Sequence, residues 1–257
     1  MSDQPSRIDL RGVELAYGSY VVMRDINASI RRGEVFVIMG GSGCGKSTLL
    51  RAMIGLMPPA QGEIRYDGEL LFSADRTPDD LARRFGVLFQ GGALWSSMTL
   101  AENIALPLEQ YTRLKPAEIR QVVRHKLALV GLKGFEDYRP AEISGGMKKR
   151  AGLARAMALD PEILFFDEPS AGLDPLSSRR LDELILQLRD VLGTTVVVVT
   201  HELESIFAIA DTALFLNAQT RTPTALGNPH ELLKHSTEPA VRAFLTRGES
   251  SHETPAP

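Results

Sequence analysis

Residues 34–56 read EVFVIMGGSGCGKSTLLRAMIGL, and this stretch decides the fold. Its first six residues, Glu34 to Met39, form a short apolar run rich in β-branched side chains, which suits a strand buried on both faces. Gly40 to Ser47, GGSGCGKS, follows the spacing G-x-x-x-x-G-K-[ST], and Thr48 to Leu56 opens a helical pattern. Strand, glycine loop and helix start, in that order, make an anion cradle. Glycine reaches positive φ at little cost, so the backbone can wrap closely. Successive N–H groups and the helix N-terminus then face a phosphate chain. Lys46 adds a point charge on the β- and γ-phosphates, and Ser47 offers a hydroxyl to Mg²⁺. The expected ATP contacts are therefore Gly40, Gly41, Ser42, Gly43, Cys44, Gly45, Lys46, Ser47 and Thr48. Cys44 reads as a small filler of this loop, with no spare volume for an adduct.

Three further runs share the character of the first: Phe85 to Phe89 (FGVLF), Ile163 to Phe166 (ILFF) and Thr195 to Val199 (TVVVV). They end at Gln90, at Asp167 and Glu168, and at Thr200 and His201. Open parallel sheets bind ligands beyond the carboxyl ends of their strands, so one shared site is expected at that edge. Asp167 is placed to hold the Mg²⁺ shell, and Glu168 to polarise an attacking water. Alone, the pair could equally cap a helix; downstream of a phosphate loop, hydrolysis is the stronger reading. His201 can orient the γ-phosphate and the water by hydrogen bonding. Gln90 can reach Mg²⁺ or the water and so report γ-phosphate occupancy. The expected catalytic set is Glu168, His201 and Gln90; the expected metal set is Ser47, Gln90 and Asp167.

The chain has 257 residues, 44% of them hydrophobic, enough for the core of one α/β domain. A net charge of −3 does not announce a nucleic-acid or lipid surface, and no nucleic-acid partner is expected. A single cysteine excludes an intrachain disulfide and fits a reducing compartment. No run approaches the ~20 apolar residues of a spanning helix, and Met1 to Asp9 lacks a signal-peptide pattern. The expectation is a soluble, cytoplasmic chain that reaches a membrane only through a partner. Ile8 to Ile30 reads as antiparallel strands and Asp211 to Leu216 as a further strand. Leu100 to Gln110, Pro116 to Val130 and Met147 to Leu159 read as helices of an insert over about 95–160, with Pro116 as a first-turn proline and Gly131 as a stop. Short helical patterns follow Gly227, and Gly248 to Pro257 is expected to be a disordered tail. The expected class is α/β: a P-loop NTPase core with a mainly parallel sheet, an N-terminal antiparallel β subdomain and a helical insert, as one domain over 7–247.

Ile143 to Lys149 reads ISGGMKK. Ser144 is a good N-cap, and Gly145 and Gly146 expose backbone donors at a helix start. One nucleotide does not need two such helix ends. The simplest resolution is that this one completes the site of a second copy, two chains closing head to tail on two ATP molecules. Taken with these motifs, the chain resembles the ABC ATPase family over nearly its whole length. The resemblance is carried by GGSGCGKS at 40–47, Gln90, ISGGM at 143–147, ILFFDEP at 163–169, AGLD at 171–174 and His201, in that order. It implies the ABC ATPase fold and ATP hydrolysis coupled to transport. It also implies that Tyr17 stacks on adenine, that Ser144 to Met147 contact the second copy's nucleotide, and that Asp174 lies at the dimer interface.

One departure is informative. The family usually carries Gln after S-G-G; here Met147 stands there, followed by Lys148, Lys149 and Arg150. This form, with GGSG in the phosphate loop, looks like the branch that serves MCE-type lipid transporters. That branch implies an integral-membrane permease, an MCE lipid-binding protein, often a small STAS-domain subunit, a place on the inner face of the inner membrane, and a part in outer-membrane lipid asymmetry. The other reading of Met147 is drift within the ATPase of an amino-acid importer. Non-transport ABC proteins usually carry two cassettes or a long coiled-coil arm, and this sequence shows neither. Leu94 and Trp95, in GGALWSSM at 91–98, read either as permease contacts or as packing within the helical insert.

Overall fold

A computed structural model describes residues 6–73 and 84–247; the tail expected at 248–257 lies outside the described residues. The apolar runs form one six-stranded sheet. Its strands are β3 (Val35–Met39), β6 (Phe85–Leu88), β7 (Ile163–Asp167), β8 (Thr195–Val199), β9 (Thr212–Asn217) and β10 (Thr222–Gly227), in the order β10-β9-β3-β8-β7-β6. All neighbours are parallel except the β9–β10 edge pair. Every residue of β3 and β8 is buried. Alternate side chains serve two cores: Val35, Val37, Leu164, Phe166, Val196 and Val198 face one, and Phe36, Ile38, Ile163, Phe165, Val197 and Val199 face the other. That division is why the runs are apolar throughout rather than alternating.

The second core lies under a four-stranded antiparallel sheet, β2-β1-β4-β5, built from β1 (Ser6–Tyr17), β2 (Tyr20–Arg31), β4 (Gln61–Tyr66) and β5 (Glu69–Leu70). The helices divide between the cores, most of them covering the first. These are α1 (Lys46–Met53), α2 (Leu100–Tyr111), α3 (Pro116–Leu129), α4 (Gly145–Ala156), α5 (Pro175–Leu192), α6 (Leu203–Ile209), α7 (Pro229–His235) and α8 (Pro239–Leu245). Of these, α1 instead faces the second core through Leu49, Leu50 and Met53. The insert helices begin where their caps dictate. Thr99 and Glu102 form a capping box on α2, and Pro116 opens α3, which ends before Gly131 in the left-handed region. The third starts two residues earlier than its apolar pattern, because the Ser144 hydroxyl accepts from Met147 N–H at 3.3 Å. It stops at Ala156, where α4 meets β6 at Gly86: a Cβ there would sit 2.3 Å from the Ala156 carbonyl oxygen, so only glycine lets helix and strand meet.

Helices α5 and α6 are joined by a buried polar pair. The Asp182 carboxylate accepts from Ser205 Oγ at 2.8 Å, and this bond anchors the helix that begins just after His201. Burial pushes the Asp182 carboxyl up to about 6; Glu183 and Glu204 push the same way, and the Ser205 hydroxyl pulls back. A carboxyl raised in the folded state disfavours the ionised fold. The stability it permits is full below the ordinary aspartate range and is lost as pH rises through about 6. Asp182→Asn keeps an acceptor for Ser205 and removes the charge. It should stabilise the fold by about 1–2 kcal/mol at pH 8 and by less at pH 4.5. Urea titrations at both pH values test this, and an equal gain at each would remove Asp182 ionisation as the cause.

Candidate active site

The parallel register sets the site. Ile38 of β3 and Asp167 of β7 both pair with Val199 of β8, so Gly40, Glu168 and His201 emerge together at one edge. A cleft of about 1040 Å³ opens there. Its walls include Tyr17, Gly41, Ser42, Gly43, Gly45, Lys46, Ser47, Thr48, Gln90, Glu168 and His201.

The loop from Gly40 to Gly45 turns through positive φ at Gly40 (148°), Gly43 (74°) and Gly45 (98°), and Gly45 hands the chain to α1. Lys46 is buried, and its ammonium donates to the carbonyls of Gly40 (2.9 Å) and Gly41 (3.0 Å). Ser47 Oγ donates to Asp167 Oδ1 at 3.1 Å, joining the loop to the end of β7. Burial pushes the Asp167 carboxyl up and Glu168 adds to this; the Ser47 hydroxyl, Arg51 and Lys46 oppose it. Ser47 and Asp167 thus offer adjacent hard oxygens. Among the described residues no cluster of three or more His, Cys, Asp or Glu could hold a metal by itself. One carboxylate and one hydroxyl beside a phosphate cradle fit Mg²⁺, which favours few protein ligands plus substrate phosphates.

Glu168 sits in the left-handed region (φ 48°), and its N–H donates to the Val199 carbonyl at 2.8 Å. The twist brings its carboxylate to His201: Nδ1 lies 2.9 Å from both Oε1 and Oε2. Tyr17 is half-exposed, and Tyr20 and Val22 also line the cleft. Ala243, Phe244 and Arg247 belong to the lining as well. The sequence carried no signal for these last three, since they arrive from α8 and the residues just after it, some 200 positions downstream of the loop.

Ser144, Gly145, Gly146, Met147 and Asp174 do not line this cleft. They gather elsewhere. Asp174 caps α5 by accepting from Ser177 N–H (3.0 Å) and Oγ (2.6 Å), bonds that hold its carboxyl below the ordinary range. A Cβ on Gly146 would lie 3.3 Å from that same Ser177 Oγ. The serine-diglycine helix start and the Asp174 turn are therefore neighbours, outside the lining of the cleft. Leu94 packs against the helix-covered core, and Trp95 is 59% exposed.

Cys44 lies beneath the loop, 2% exposed, with Sγ 2.8 Å from where a Gly40 Cβ would stand. Burial raises its thiol pKa, chiefly against the pull of Lys46. A bulky maleimide should therefore label native protein at least about tenfold more slowly than urea-unfolded chain, and protein labelled to completion should lose nucleotide binding. Rapid native labelling, or nucleotide bound by the fully labelled protein, would displace Cys44 from this position.

The sequence profile of the ABC transporter family matches residues 23–171. The probable ribonucleotide transport ATP-binding protein mkl of Mycobacterium tuberculosis is 43% identical over 239 residues, covering 93% of this chain; the chain spans 66% of that relative's length. The intermembrane phospholipid transport system ATP-binding protein MlaF of Haemophilus influenzae is 39% identical over 95% of this chain and 91% of its own. MlaF of Escherichia coli K12 is likewise 39% identical, over 93% of this chain and 88% of its own. Among solved structures, cbiO1 of Clostridium perfringens, part of the cbiONQ ABC transporter complex, superposes with a TM-score of 0.83 at 27% identity, covering 90% of this chain and 92% of that one. The ATP-binding cassette MJ0796, solved as a dimer bound to ADP and phosphate, gives 0.77 at 29% identity over 86% of this chain and 98% of that one. With cradle, paired carboxylates and histidine assembled on this sheet edge, the chain belongs to the ABC transporter family.

Proposed function

We propose that this cassette hydrolyses Mg-ATP at the interface of two of its own copies and thereby drives a phospholipid-transporting permease. The observation that carries the hydrolytic part is the Glu168–His201 contact at the mouth of a phosphate cradle. Backbone amides from Gly41 to Ser47 bind the phosphates, and Lys46 turns from its two loop carbonyls to the β- and γ-phosphates. Ser47, Asp167 and Gln90 would hold Mg²⁺. When bound, Mg²⁺ supplies charge neutralisation to the phosphate oxygens. Glu168 takes a proton from the attacking water. His201 keeps the Glu168 carboxylate in place and faces the γ-phosphate. Tyr17 stacks on adenine. The Ser144–Met147 helix start of the second copy, with Asp174 beside it, seals the nucleotide from the other side.

The dimeric MJ0796 cassette supports this pairing. The lipid assignment rests on 39% identity to MlaF over most of both chains and on Met147 in the serine-diglycine motif. The partners are then a MlaE-like permease, a MlaD-like MCE protein and a MlaB-like STAS subunit, with the cassette on the cytoplasmic face of the inner membrane. Among the described residues no helix is long and apolar enough to cross a membrane, so membrane contact passes through the permease. The permease seat is the groove of about 960 Å³ between α2 and α3, where Met98, Ala105, Leu106 and Ile119 offer apolar walls and Glu109 and Arg120 polar ones. Exposed Trp95 stands shortly before Ser97 and Met98 of this groove.

Glu168→Gln should lower kcat by at least about 100-fold while ATP still binds, and a dimer should accumulate in Mg-ATP on size-exclusion chromatography. Turnover at the unmodified rate would strip Glu168 of the base role. Trp95→Glu should cost less than about 0.5 kcal/mol of stability, as exposed sites do, yet release the permease on copurification and stop lipid transfer. Copurification and transfer that survive the charge would move the permease contact away from Trp95.

A further inference from the structure

Lys149 is buried in the body of α4, 7% exposed, and belongs to no catalytic or nucleotide set described above. Its ammonium donates to the main-chain carbonyl of Gln90 and, at 3.3 Å, to that of Glu168. These are the second residue beyond β6 and the first beyond β7, adjacent parallel strands with Leu88 opposite Phe166. One cation thus joins the two main-chain exits from which Gln90 and Glu168 enter the cleft. Desolvation works against its charge, and Asp167 and Glu168 help to sustain it. A methionine would fill the same volume without that penalty, so packing alone does not account for a lysine here.

The same helix holds the rest of the turn after β6. Residues 149, 152 and 155 recur at three-residue spacing along α4. At 152 there is no side chain: a Cβ on Gly152 would stand 2.8 Å from the Gly92 carbonyl oxygen. At 155, the Arg155 guanidinium donates to the Ala93 carbonyl at 2.6 Å. Gly92 takes a positive φ at little cost, but Ala93 also sits in the left-handed region (φ 49°), which a residue with a side chain rarely adopts unaided. The stretch 90–93 is therefore fastened to α4 by two hydrogen bonds, with close backbone approach at Gly152 between them, and the N-terminus of α4 is the serine-diglycine end.

We propose that Lys149 is a positioning residue for hydrolysis: its ammonium fixes the Gln90 and Glu168 main chains relative to each other and ties both to the helix whose N-terminus serves the second copy's nucleotide. The inference rests on the roles proposed for Gln90 and Glu168. Movement of α4 as the dimer closes would then reach the chain's own γ-phosphate side chains through one bridging cation, and the two sites would be linked.

The test uses the full-length chain with Lys149→Met and Lys149→Arg. Each variant is measured for thermal stability, for equilibrium affinity toward a fluorescent ATP analogue, and for kcat, KM and the Hill coefficient in Mg-ATP. The expected result for Lys149→Met is an unchanged or raised melting temperature and an affinity within about threefold, because the phosphate loop is untouched. Its kcat should fall by about tenfold or more, as misplacement of reacting groups does, and its Hill coefficient should move toward one. Lys149→Arg keeps the donors and should regain most of the loss. A Lys149→Met kcat equal to that of the unmodified chain overturns the proposal. So does a loss that merely tracks lowered melting temperature or nucleotide affinity, or a Lys149→Arg as slow as Lys149→Met. Glu168→Gln separates the two readings: if it turns over normally, the Glu168 role fails and this inference with it. If it is inactive while Lys149→Met is normal, only Lys149 is misassigned.

Discussion

Parallel pairing of β3, β8 and β7 is the constraint on which the site depends. A parallel ladder sends every strand out at the same edge, and the register opposite Val199 fixes how far each has travelled when it leaves. Shifting β7 by one residue would exchange the faces of Ile163 to Phe166 between two packed cores. Burial on both faces therefore locks the register, and the register locks the meeting of the phosphate loop, the carboxylate pair and His201. Hydrophobic packing, rather than any bond within the site, sets the coarse geometry. The Ser47–Asp167 and Glu168–His201 contacts then refine it.

The parts of this arrangement that could be read in the sequence are those that packing states twice. The runs at 34–39, 85–89, 163–166 and 195–199 are apolar at nearly every position because both faces are covered, and each ends at a polar or glycine residue. Strands β4, β5 and β10 escaped that reading. Gln61–Tyr66 buries only Ile64 and Tyr66, and β10 is an edge strand with no fully buried residue. Strand β4 pairs with the distant β1, whereas β5 and β10 each pair with the strand just before them across a short turn. Helix α5 escaped although its signals are present: Asp174 as cap, Pro175 at the first turn, and Leu181, Leu184, Ile185 and Leu188 on one face. The turn before it drew attention as a motif, which hid its ordinary service as a helix start.

Within the site, legibility followed chain proximity. Residues of the phosphate loop and the strand ends announce themselves because their neighbours in sequence are also their neighbours in function. The bridge from Lys149 to two carbonyls does not, since main-chain acceptors leave no trace in residue identity. The same holds for Ala243, Phe244 and Arg247, which reach the cleft only after the C-terminal helices have folded back. A motif reader sees which side chains are present; only the fold shows which backbone they grip.

The left-handed backbone at Glu168 has a cost beyond the reaction. A branched-free but bulky residue at φ 48° carries strain of about 1–3 kcal/mol that a glycine would shed. At this codon, robustness and catalysis pull in opposite directions. A library ranked by heat resistance alone would drift toward small residues here, and its hardiest members would be sturdy but inert.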